Sequence, residues 1–347
     1  MKSSSLVSIG SAFALALAAP LPAADPQPAG LRVVNSFAVG GDGGWDYLTV
    51  DGASRRVYVS RGTHVAVVDA DSGKVVGDIP GTEGVHGIAL APELKKGFTS
   101  NGRAGTVTVF ELPSLAITGT IKATGENPDA ILYEPVTKRV FTFNGRGKNA
   151  TAIDATSGAI AGTLPLGGKP EFAVSDAAGV VYVNIEDTAE VVAFDAKSLA
   201  VKGRWSLVPC KDPTGLALDA KSRRLFAGCG NQLLAIMSAT DGKMLGTAPI
   251  GEGCDAVAFD PATGLVYSSN GEGTLTVLKE AAAGTYAVVE TVPTKKSART
   301  MALDPATHRI LLPAARFGPP PSPTAEVPRP RPVAVPGSFE LLVVGRP

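Results

Sequence analysis

Charge, sulfur, histidine and aromatic side chains are all scarce in this 347-residue chain. Its 32 Lys and Arg balance 32 Asp and Glu, so no bulk field draws it to nucleic acid. Histidine occurs only at His64, His86 and His308, in neither an H-x-x-x-H nor an H-E-x-x-H pairing, and a histidine-held catalytic transition metal is not expected. The three cysteines form no C-x-x-C-H, which removes covalent haem. One glycine-dense run, Gly40-Gly41-Asp42-Gly43-Gly44, precedes a strand rather than a helix, which removes a dinucleotide or P-loop reading. No nucleophile elbow stands out, and no helical periodicity is convincing. What remains is a chain that is 44% hydrophobic and 18% charged, enough apolar material for a packed core and too little charge for disorder.

The first residues read as a secretory signal over 1–24. Lys2 supplies a positive start, residues 6–19 an apolar stretch, and Ala23 and Ala24 a small-residue cleavage site before Asp25. A spanning helix needs about 20 apolar residues, so a removed signal fits better than an anchor. No later segment is long and apolar enough to span a bilayer. The expected location is the periplasm or the exterior.

Repetition organises residues 25–347, which read as one domain. Short strands beginning Y-L-T-V-D at 47 recur as G-I-A-L-A at 87, A-I-L-Y-E at 130, E-F-A-V-S at 171, G-L-A-L-D at 215, A-V-A-F-D at 256 and T-M-A-L-D at 300. Seven copies at intervals of 40–44 residues, each too short to bury its own faces, predict a closed array. Second strands such as V-Y-V-S at 57 and third strands such as V-A-V-V-D at 65 follow, and turns such as D-A-D-S-G-K at 69 lead into a fourth. The expected fold is all-β, a seven-bladed β-propeller of four-stranded blades. The last repeat lacks a fourth strand and residues 31–39 form an orphan one, so the N-terminal strand is expected to close the last blade.

The G-x-x-P-[DE] turns at 125 and 167, the V-Y-V-[SN] strands and the D-x-x-S-G-K turns resemble the YVTN-repeat propellers of the YncE-like group. The likeness covers residues 31–347 and implies an exported protein of undefined chemistry. With only Trp45 and Trp205, the tryptophan docking repeats of the large quinoprotein propellers are missing.

In such a ring the residues that open each first strand meet at the channel mouth. They are Asp46, His86, Asp129, Glu171, Thr214, Asp255 and Arg299, with Asn101, Asn144, Asn184 and Asn270 expected to add amide oxygens on the same face. Such a funnel suits a polar ligand, a basic peptide or a cation, although acids there also serve as partners for loop N–H groups. The reading is an exported binding or scaffold protein that recognises a small polar ligand or protein partner through Asp46, His86, Asp129, Glu171, Asp255 and Arg299. It needs no cofactor, and a monomer is expected. The alternative is a metal-assisted hydrolase or lactonase holding a divalent cation on the same carboxylates.

Cys210, Cys229 and Cys254 fall on top-face loops around blade 5. Cys210–Cys229 is the favoured disulfide, with Cys210–Cys254 the alternative. Basic pairs such as Arg55-Arg56 and Arg223-Arg224 mark the opposite face, read as a plain solvated surface rather than an anion-binding ring. A proline-rich insertion, 318–337, breaks the last repeat and is expected near the mouth as an extended loop.

Overall fold

The computed structural model describes residues 30–282, 284–324, 330 and 332–347. The export signal read over 1–24 lies outside these residues, as does part of the proline-rich insertion. Blade 1 consists of Leu48–Asp51, Arg56–Ser60, Val65–Asp69 and Val75–Ile79, each strand antiparallel to the next. Six further four-stranded sheets complete a seven-bladed ring. Helical structure among the described residues is limited to two 3-10 turns, Pro92–Leu94 and Glu186–Thr188. No described helix is long and apolar enough to cross a membrane.

Burial follows a strand's place in its blade. Second and third strands such as Arg139–Asn144 and Glu190–Asp195 are buried along nearly their whole length, because neighbouring blades cover both of their faces. Fourth strands such as Ile117–Lys122 and Val201–Ser206 alternate towards water at the rim. Blade 7 takes its fourth strand from the other end of the chain: Arg32–Ala38 pairs antiparallel with Glu340–Gly345, placing Arg32 opposite Gly345.

The bottom-face bases hold blades together. Arg55 pairs with Asp71 at 2.7 Å and with Asp304 of blade 7 at 2.8 Å. The next residue of each pair reaches forward: Arg56 donates to Pro113 O, Lys96 to Thr156 O and Arg139 to Lys197 O. Arg55 is thus paired with acids, while Arg56, Lys96 and Arg139 direct donors to backbone carbonyls of neighbouring blades.

At the rim, a side chain from one blade fills a notch on its neighbour. The turns between third and fourth strands place Gly73, Leu115, Gly158, Leu199 and Gly242 in the left-handed region, with φ of 62–78°. A leucine there is strained. It is tolerated because the Leu115 and Leu199 tips occupy the space that a Cβ on Gly77 or Gly162 of the preceding blade would need. Between blades 2 and 3 the facing residues are Gly119 and Gly158, a Cβ on Gly119 would meet nothing within 4 Å, and a groove opens there. Gly158→Leu is expected to raise the melting temperature. A buried leucine contributes roughly 1.5–3 kcal/mol, against about 1–2 kcal/mol for the left-handed backbone. Leu199→Gly should lower it. Calorimetric scans showing the opposite order would refute this packing account.

Candidate ligand-binding site

Hydroxyl groups of neighbouring blades set the first strands in place. Thr300 Oγ1 donates to Asp46 O at 2.8 Å, Thr214 Oγ1 to Cys254 O at 2.8 Å, Ser269 Oγ to Arg299 O and Ser100 Oγ to Asp129 O. The carbonyls being fixed, the side chains that open each first strand turn into one funnel. Asp46, Asp129, Glu171, Thr214, Asp255 and Arg299 line a cavity of about 310 Å³, together with Lys169 and Glu186. Tyr47 forms part of its lining and is itself buried, packing edge-on against Phe172 with ring centroids 5.4 Å apart.

Opposite charges are paired around the ring. His86 Nδ1 lies 2.6 Å from Asp46 Oδ2 and 3.4 Å from Asp129 Oδ1. Lys169 Nζ bonds Glu171 Oε1 at 2.7 Å and also Glu186. Arg299 bonds Asp255 and approaches Asp46 at 3.8 Å. Five carboxylates thus face three cationic side chains. Burial pushes Asp129 up to about 6 in spite of His86, and Asp255 up to about 7 in spite of Arg299. Burial, then the Asp129 charge, raises Glu171. Burial alone would lower the His86 imidazole, but the Asp46 hydrogen bond and the surrounding carboxylates outweigh it and raise it. Asp46, His86 and Asp129 also present three potential metal-ligand atoms within 4.8 Å of one another.

These shifts fix the sign of a pH dependence. A group whose folded value is raised stabilises the fold fully below its unfolded value and loses that contribution as pH rises through the folded one. The contributions of Asp129, Asp255 and Glu171 are therefore complete only below about pH 4, that of His86 below about pH 6, and all decline towards pH 8. From the acid side, Asp154, Asp195 and Asp304 lie below the usual carboxylate value, and their contributions are lost progressively as pH falls below about 4. The melting temperature is expected to peak between about pH 4 and 5 and to fall by pH 8, with a shallower fall in Asp255→Asn. A midpoint that rises steadily to pH 8 would contradict it.

The structure brings all six funnel candidates together, but the asparagines belong elsewhere. Asn101, Asn144 and Asn270 are fully buried, donating to Thr108, Thr151 and Thr276 within their own blades. Their amide oxygens accept from Thr99, Thr142 and Ser268. Asn184 donates to Thr214 O and Gly215 O. Sequence reasoning placed them at the mouth because they end strands. At Asn101, Asn144 and Asn270, which end their strands, the period-2 alternation turns the side chain into the blade, while Ser100, Asn184 and Ser269, each one residue before a strand end, reach the first strand of the next blade. Lys169, Glu186 and Tyr47 were missed, although Tyr47 directly follows Asp46 and Lys169 precedes the Pro170-Glu171 pair. Cys210 and Cys229 are joined, with Cα atoms 5.5 Å apart, and Cys254 is free and buried. Where it is described, the proline-rich insertion lies beside the mouth, with Phe317 against Trp45 at 5.9 Å and bridged to Ala334.

No family model and no curated protein matches the chain. Solved structures do. A chain of the mitotic checkpoint complex is similar at 14% identity and TM-score 0.74, over 98% of this chain and 99% of that one. U3-55K is similar at 11% identity and TM-score 0.71, and the RRP9 WD40 repeats at 11% and 0.72, each over 92% of this chain and 99% of the other. What they share with this chain is the propeller. At such identities the likeness extends to architecture and not to the chemistry of the funnel.

Proposed function

We propose that this propeller is a binding module whose top-face funnel receives a positively charged group. The observation that carries the reading is the surplus of carboxylates. Asp46, Asp129, Glu171, Glu186 and Asp255 outnumber Lys169 and Arg299 in the lining of one cavity, with His86 beside Asp46 at its edge, and an entering ammonium would offset the burial and repulsion that raise Asp129 and Asp255. Use of the fold as a scaffold fits this role. The export signal read from the sequence and the Cys210–Cys229 disulfide support a place outside the cytoplasm, and kinship with the YVTN-repeat propellers is part of the same proposal.

Calorimetric titration of the mature chain with n-alkylamines tests the reading. Affinity is expected to fall at least tenfold between pH 8 and pH 5, as Asp129 and Asp255 take up protons, and to fall similarly at pH 8 in Asp255→Asn. Affinity independent of both would sink it.

A divalent cation is the second reading, favoured by the closeness of the Asp46, His86 and Asp129 ligand atoms. These groups also satisfy one another, His86 Nδ1 lying 2.6 Å from Asp46 Oδ2 and 3.4 Å from Asp129 Oδ1, which is why the first reading is preferred. Native mass spectrometry distinguishes the two: a retained divalent ion that is lost in Asp129→Asn supports the metal.

A further inference from the structure

The acidic cavity does not end at the ring. It shares Asp46 and Arg299 with a second cavity of about 510 Å³ on the blade 1–3 side of the mouth. There the balance of charge reverses. Arg103, Arg146 and Arg299 line the second cavity together with His86, and Asp46 is its one carboxylate among the described residues. Asp46 is already engaged by His86. Arg103 reaches an acid only at 3.8 Å, Glu83, and Arg146 has no acidic partner among the described residues. Both arginines come from the same device, N-G-R at 101–103 and at 144–146. A Cβ on Gly102 would collide with the His86 and Asn127 side chains, whereas one on Gly145 would make only ordinary contact with Asn127.

Two unsatisfied donors lie on this side as well. The Trp45 indole N–H is buried without a partner, and Trp45 lines the cavity. Directly before the lining residue Gly62, Arg61 is 2% exposed and stacks on the Phe339 ring at 3.6 Å. Its Nη2 donates to Gly41 O and Asp42 O at 3.0 Å each, while among the described residues Nη1 has no partner and no carboxylate pairs with the side chain. A buried guanidinium without a counter-charge is costly, and its field favours negative charge nearby. Two joined cavities of opposite charge, with unpaired donors on the basic side, match a ligand that carries both charges.

We propose that the second cavity is a carboxylate subsite, so that the funnel binds a small amino-carboxylate. The ammonium sits among Asp129, Glu171 and Asp255, and the carboxylate meets Arg103 and Arg146. This rests on the cation-binding reading above and adds the anionic half of the ligand. Arginine suits the task, since its planar fork meets a carboxylate with two parallel bonds.

The test titrates the full mature chain with ω-amino acids from glycine to 6-aminohexanoate. The n-alkylamines and n-alkylcarboxylates of the same lengths serve as controls. At least one ω-amino acid is expected to bind tenfold or more tightly than its matching amine, with the carboxylate alone weakest. Arg103→Gln with Arg146→Gln, both on exposed loops, should reduce that ω-amino acid to the affinity of the amine and leave the amine unchanged. Asp255→Asn should weaken both. Amines and amino acids binding equally, in wild type and in the double variant, would overturn the carboxylate subsite while leaving cation binding intact. Absence of binding by any amine or amino acid would overturn both.

Discussion

Tyr47→Ala is expected to destabilise the protein by about 3–5 kcal/mol, the usual cost of removing a large aromatic side chain from a core. Tyr47 directly precedes the first strand of blade 1, yet it packs in one buried cluster with Ala130 of blade 3 and Ala173 of blade 4. Its ring therefore crosses the axis and ties together blades that are not adjacent in the ring. Beneath it only a small void of about 50 Å³ remains, bounded by Ile88, Ile131 and Phe172 among others, so neighbours cannot collapse far into the space left by truncation. Burial, then the Asp46, Asp129, Glu171 and Asp255 charges, raises its hydroxyl well above the ordinary tyrosine value, so it stays neutral at any working pH. Tyr47→Phe keeps the ring and is expected to cost less than about 1.5 kcal/mol. Urea titrations of the two variants provide the check. A loss below 1 kcal/mol for the alanine variant would mean that the ring is not a tie between blades.

Removing the disulfide with Cys210→Ala and Cys229→Ala together should cost about 3 kcal/mol, from the chain entropy of a closed loop of roughly 20 residues. The bridge joins Cys210, just ahead of the first strand of blade 5, to Cys229 at the end of the second, 19 residues later. It thereby fixes the loop that carries Thr214 towards the funnel. Both half-cystines are almost fully buried, so lost packing adds to the entropic cost. Burial pushes the remaining Cys254 thiol up to about 12, even though Ser268 donates to its sulfur. Alkylation of the oxidised native protein should accordingly label no cysteine, and of the unfolded unreduced protein one. The two-alanine variant losing less than 1 kcal/mol in urea, or any label on the native chain, would contradict this arrangement.

The ring was readable because its defining signals are local and repeated. Valine-rich second strands such as Val180–Ile185 and the 40–44-residue spacing leave few alternatives to seven blades. The funnel was readable because closure of a ring sends the start of every first strand to one place, whatever the side chains. Lys169 and Glu186 were not, because they sit in connecting turns where the alternation that orients strand residues no longer applies. Arg103 and Arg146 went unread for the same reason, although the repeated N-G-R was in view. The four asparagines failed differently. Three strand ends were located correctly, and the one at Asn184 falls a residue later, at Ile185, but the side chain at a strand end is directed by the pleat and not by the chain's exit from the sheet. The Leu115 and Leu199 knobs could not be foreseen, since a leucine at positive φ makes sense only once the glycine of the adjacent blade is known.

The pairing of Arg32 with Gly345 orders events in time. As the chain is made, its first strand emerges some 300 residues before its partner, and bringing ends so distant together in a flexible chain costs about 5 kcal/mol of loop entropy. An arc of blades 1 to 6 assembled first removes most of that cost, because the curvature of the arc already brings the two ends near one another. Assembly then becomes gated by blade 7: Glu340–Gly345 receives Arg32–Ala38, and the ring locks only once that strand has been made. A chain held extended until its synthesis is over loses nothing by waiting, whereas one that tried to fold behind the ribosome would carry an unpaired strand edge throughout.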